Sequence, residues 1–95
     1  MSKKEAYERK LQAQLDEWSA EIDKLKARAD KAQADAQLTY HKQIDTLREQ
    51  QEAAHAKLSE LRQSSEDAWE DLREGMGGAW TRLGEAVKSA TTRFK

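Results

Sequence analysis

The stretch ARADKAQADAQ, Ala27 to Gln37, bears on how this chain assembles, because it lines a helical seam with small side chains only. Its residues are helix formers, and no Gly, Pro or Asn occurs between residues 3 and 63. Chains usually turn at such residues, so an early helical hairpin is disfavoured and the helix is expected to run on. Its small side chains bury little area but let neighbouring helices approach closely. The stretch therefore reads as the thin waist of an assembly.

Upstream, Leu11, Leu15, Trp18, Ile22, Leu25, Ala29, Ala32 and Ala36 follow one another at alternating spacings of 4 and 3. That is a heptad stripe sustained over more than three repeats. Its beginning is marked by Ser2 and Glu5, which fit the S-x-x-E capping box and place the helix start at about Lys3. Downstream, Tyr40, Ile44 and Leu47 continue the stripe, so that three spacings of four, from Ala32 to Ile44, occur in succession before a spacing of three returns. Such a stutter, at residues 36–44, locally unwinds a left-handed supercoil. The stripe resumes through Gln51, Ala54, Leu58, Leu61, Ser65, Ala68 and Leu72, with Gln51 and Ser65 as polar residues in the seam.

Composition supports the helical reading. Of the 95 residues 37% are hydrophobic and 37% charged, which predicts a narrow buried stripe and not an isolated compact core. With no proline and a net charge of -1, the chain does not resemble a disordered one either. A helix from Lys3 to Glu74 would extend on the order of 105 Å and would need a partner for its stripe. The expected fold is all-α, a long and nearly continuous amphipathic helix in a homo-oligomeric coiled coil. The sixteen apolar seam residues, Leu11 to Leu72 without Gln51 and Ser65, form its expected interface.

Residues 65–95 differ in character from residues 1–64. Five acids and one base occupy residues 66–74, whereas four bases and one acid occupy residues 82–95. This order complements a helix dipole and marks a second amphipathic unit. Trp69, Leu72, Met76, Trp80, Leu83, Val87, Ala90 and Phe94 share one face of it. Gly75, Gly77 and Gly78 lie within this unit and cost roughly 3 kcal/mol together relative to alanine. The apolar phase nevertheless persists across them, which favours continuous helix over a kink or hinge at Gly75 to Gly78.

From SKKEAYERKLQAQLDEW through EDAWEDL to the terminal RFK, the chain resembles a group of small bacterial coiled-coil proteins often associated by name with stress responses. The resemblance implies a cytoplasmic, non-enzymatic helical protein and transfers no functional residues. The GMGG stretch departs from the glycine-poor helix of that pattern.

Chemistry finds little foothold in the sequence. His41 and His55 lie about 21 Å apart along one helix, too far to share a metal. Acidic neighbours such as Asp16 and Glu17, or Glu70 and Asp71, are expected on a solvated helix face, where no cleft shifts their pKa. GMGG lacks the strand and the lysine of a phosphate loop. Ten bases against nine acids in residues 1–48, and seven against nine in residues 49–95, provide no basic patch for nucleic acid. Without cysteine there is no disulfide framework, and no apolar run suggests a secretory signal or a membrane span.

The expected function is thus a structural scaffold or stress-associated assembly, with no enzyme activity, no cofactor and no small-molecule substrate. Its expected partner is a second copy. The alternative is a peripheral lipid-binding protein whose face of Trp69, Met76, Trp80, Leu83, Val87 and Phe94 meets a membrane surface or another helical protein.

Overall fold

Helix α1 runs over Lys3–Lys31 and opens as the sequence predicts, with the Ser2 hydroxyl accepting from the Glu5 N–H at 3.1 Å. The computed structural model describes residues 2–94 of the chain. The helix does not continue through the alanine-rich stretch. Ala32 (φ -70°, ψ 161°) and Gln33 (φ -63°, ψ 152°) are extended, and helix α2 begins at Ala34 and runs to Gln63.

The long-helix expectation fails here for a specific reason. The absence of Gly, Pro and Asn does not prevent a reversal, because this one uses no left-handed residue: among the described residues no position has positive φ. Two ordinary residues in the extended basin turn the chain, and alanine and glutamine enter that basin without strain. The backbone groups this frees are largely recaptured. The Ala32 N–H donates to Ala29 O at 3.2 Å, and Gln37 Nε2 donates to Asp30 O at 3.0 Å.

Burial favours the fold-back. Leu11, Leu15, Ile22, Leu25 and Ala29 of α1 enter one core with Ile44, Leu47, Ala54, Leu58 and Leu61 of α2. Each buried Leu or Ile contributes about 1.5–3 kcal/mol, so together they outweigh two broken helical bonds at about 0.5–1.5 kcal/mol each. The phase change read as a stutter at residues 36–44 follows directly after this turn. It records a change of helix within a chain whose two stripes need not share a phase.

A second reversal occupies residues 64–68. Ser64 is extended (φ -77°, ψ 157°) and returns both its N–H (3.1 Å) and its hydroxyl (2.6 Å) to Leu61 O. Ser65 then receives the Ala68 N–H on its hydroxyl at 3.2 Å. Helix α3 follows over Trp69–Arg93, uninterrupted through all four glycines. The helix is therefore continuous across Gly75 to Gly78, and no loop interrupts it there.

The helices stand up, down and up. Lys4 of α1 reaches the carbonyls of Arg62 (3.2 Å) and Ser64 (2.7 Å) at the end of α2. Arg62 donates to Gln12 Oε1 at 2.9 Å, Arg48 pairs with Asp23, and His41 Nε2 lies 3.1 Å from Asp30 Oδ1. This ladder makes α1 and α2 antiparallel. Helix α3 lies parallel to α1, with Trp69 beside Tyr7 and Gly84 beside Trp18. The bundle measures 51 × 20 × 18 Å, about half the length of the expected rod.

Candidate functional site

The residues expected at an oligomer interface are mostly spent inside one chain. Leu11, Leu15, Ile22, Leu25, Ala29, Ile44, Leu47, Ala54, Leu58 and Leu61 are buried, and Trp18, Tyr40 and Leu72 pack half-buried against them. Ala32 in the first reversal and Ala36 just after it are half-buried, and Ala68 is exposed in the second. The expected lipid or partner face is likewise enclosed. Trp69, Met76, Trp80, Leu83, Val87 and Phe94 all belong to the same core.

Aromatic side chains close both ends of the bundle. At one end the Tyr7 and Trp69 rings meet at 6.0 Å, tilted, and the Arg73 guanidinium lies over both, 5.8 Å and 5.4 Å from their centroids. At the other, Tyr40 stacks on Phe94 at 4.2 Å. Both contacts fasten α3 to its neighbours. A cation held over two rings adds attraction that an aliphatic contact lacks.

Two surfaces remain without an explanation in the fold. The first is the outward side of α3. A Cβ at Gly75 or Gly77 would meet nothing within 4 Å, and at Gly78 only Arg82 Nη2 at 3.6 Å. These three glycines serve no internal packing, and they lie between a mainly acidic half with Glu70, Asp71 and Glu74 beside Arg73 and a mainly basic half with Arg82, Lys88 and Arg93 beside Glu85.

The second is a groove of about 370 Å³ between α2 and α3. Leu47, Ala86 and Ala90 provide its apolar portion, Thr39, Thr46 and Ser89 its hydroxyls, and Lys42 and Arg93 its charges. Gln43 and Gln50 also line it, and the Oε1 atom of each is buried without a hydrogen-bond partner. A smaller depression shares Gln50 and extends the groove towards Ala79 and Arg82. Trp80 Nε1 is a further buried donor without an acceptor.

The histidines do not converge. His41 contacts Asp30 across the first reversal, and His55 is exposed further along α2. No group of three or more His, Cys, Asp or Glu among the described residues is arranged to hold a metal. No described helix is long and apolar enough to cross a membrane.

No family model, no curated protein and no solved structure matches this chain.

Sequence reasoning passed over the groove because its residues are polar neighbours of the seam. One signal was available, since Gln43 and Gln50 lie seven residues apart and share a helical face. No comparable signal pairs them with Ala86 and Ala90. That juxtaposition arises only when α3 docks.

Proposed function

We propose that this chain is a non-enzymatic helical protein that works by self-association, as a scaffold or stress-associated assembly component of the cytoplasm, and that copies meet through the outward face of α3. The observation carrying this reading is the exposed glycine cluster between two oppositely charged halves of one helix. Two such helices laid antiparallel about the glycines bring Glu70 and Asp71 of one copy beside Arg82 of the other, and Lys88 towards Glu66 and Asp67. The contact is self-complementary, as a two-fold interface requires. The absent side chain at Gly78, opposite the buried face, would let the backbones approach closely at its centre, and Gly75 and Gly77 leave its two flanks open.

The heptad stripe is no longer the contact in this reading, because it is buried within the bundle. Only Leu38 is a large exposed apolar residue among those described, so association rests mainly on charge and is sensitive to salt. The stress-associated part rests on the resemblance of the sequence. Light scattering at low and high salt tests the proposal. A mass above the 10.9 kDa monomer at low salt should fall as salt rises, and a variant with Gly75, Gly77 and Gly78 replaced by Ala should associate less. A monomer mass under all conditions would remove the reading.

A second reading, peripheral lipid binding, is favoured by the placement of the same glycines in the helix that carries Trp69, Met76, Trp80, Leu83, Val87 and Phe94. Uncompensated glycines weaken α3, and its apolar face could reach lipid only if the helix left the bundle. Quenching of Trp80 by brominated acyl chains in phosphatidylglycerol vesicles, in a variant with Trp18→Phe and Trp69→Phe, tests this. Unquenched emission would dismiss it.

A further inference from the structure

We propose that the groove between α2 and α3 binds a small, elongated, amphipathic anion: a carboxylate with an apolar body and a hydrogen-bonding group at its far end. Its size, its charge and its unsatisfied polar atoms lead to this ligand chemistry together.

Size comes first. At about 370 Å³ the groove falls within the roughly 300–1,000 Å³ typical of small-molecule sites. Leu47, Ala86 and Ala90 give it a narrow apolar strip without the deep pockets that anchor aromatic side chains of a protein partner. A slender molecule fits such a strip better than a docked helix.

Charge sets the sign and the direction. Lys42 and Arg93 line the groove, no Asp or Glu does, and neither cation forms an ion pair among the described residues. The Tyr40–Phe94 stack brings the end of α3 against the start of α2, so both cations lie towards one end. An anionic head belongs there, with the body running towards Gln50.

The glutamines define the polar requirement. Gln43 and Gln50, seven residues apart, are separated by about 10.5 Å along α2. Each has a buried amide oxygen with no donor, an arrangement that folded proteins seldom leave unmet. A side-chain amide can turn to present either its oxygen or its NH2 group. Each Oε1 is buried as it stands, so ligand binding requires both amides to turn, Gln43 presenting its NH2 group to the head and Gln50 its oxygen to a terminal hydroxyl near Arg82.

The test is a titration of the full chain by NMR, with 10-hydroxydecanoate, decanoate and decyltrimethylammonium as probes below their micellar concentrations. The readouts are the side-chain NH2 signals of Gln43 and Gln50 and the methyl signals of Leu47, Ala86 and Ala90. Saturable shifts confined to these groups are expected, tighter for 10-hydroxydecanoate than for decanoate and absent for the cation. The double variant Lys42→Gln, Arg93→Gln should bind about tenfold more weakly, as expected for two exposed charge contacts. Ala86→Leu should obstruct the strip while leaving both cations in place.

No saturable shift with either carboxylate would overturn the proposal, as would equal binding of the cation. Shifts produced only by phosphatidylglycerol vesicles would overturn it too, since they would assign the charge to a lipid surface. The site does not rest on self-association. Binding should persist in the variant with Gly75, Gly77 and Gly78 replaced by Ala, whose oligomer mass reports on the other reading separately.

Discussion

Gly84 lies directly against the indole of Trp18, and a Cβ added there would sit 3.0 Å from Trp18 Cζ2. The contact joins α1 to α3 across the middle of the bundle. It also divides the four glycines into two kinds, since the clustered three have open space or a flexible arginine where Gly84 has a ring. Gly84→Leu should lower stability by about 1–3 kcal/mol through overpacking. Urea unfolding measures the loss, and Trp18 emission should move red as the ring is displaced. Unchanged stability would show that this approach does not constrain the fold.

The clustered glycines give the opposite expectation. Gly75→Ala and Gly77→Ala should each raise stability by about 1 kcal/mol, because alanine favours helix and meets no obstacle. Thermal unfolding read by circular dichroism checks this. A loss at either position would contradict the continuous α3.

Gln33→Pro distinguishes the bundle from a continuous helix most sharply. Gln33 has φ -63° and Ala32 before it is extended, both compatible with proline. The change should stabilise the bundle by about 0.4–1 kcal/mol by restricting the unfolded chain. In an unbroken helix the same proline would cost about 3 kcal/mol or more. The sign of the shift in the urea midpoint decides between them.

Lys4 ties the start of α1 to the end of α2. Its ammonium donates to the carbonyls of Arg62 and Ser64 and lies 3.7 Å from Glu8. Its side chain is only 13% exposed, so these bonds are partly shielded from water. Lys4→Met keeps the aliphatic stem and removes the cation from the helix C-terminus. A loss of about 1 kcal/mol is expected in chemical denaturation. A smaller effect at high salt would be consistent with its electrostatic part.

Much of the local structure was legible in the residues. The spacing of Leu11, Leu15, Ile22 and Leu25 gave the buried face of α1, and Trp69, Met76, Trp80, Leu83 and Val87 gave that of α3. The Ser2 cap and the continuity of α3 through its glycines were equally readable. These features depend on neighbours within a turn or two of helix, where periodicity and propensity act directly.

By itself, then, the sequence determined that the chain is helical and which side of each helix must leave water. Tertiary structure alone decided what covers that side. A heptad stripe is satisfied equally by a second copy or by the rest of its own chain, so the pattern does not name the partner. The choice turned on Ala32 and Gln33, whose extended conformation carries no compositional mark because any residue can adopt it. The α2–α3 groove followed from the same decision, since docking α3 beside α2 brings Gln43 and Gln50 opposite Ala86 and Ala90.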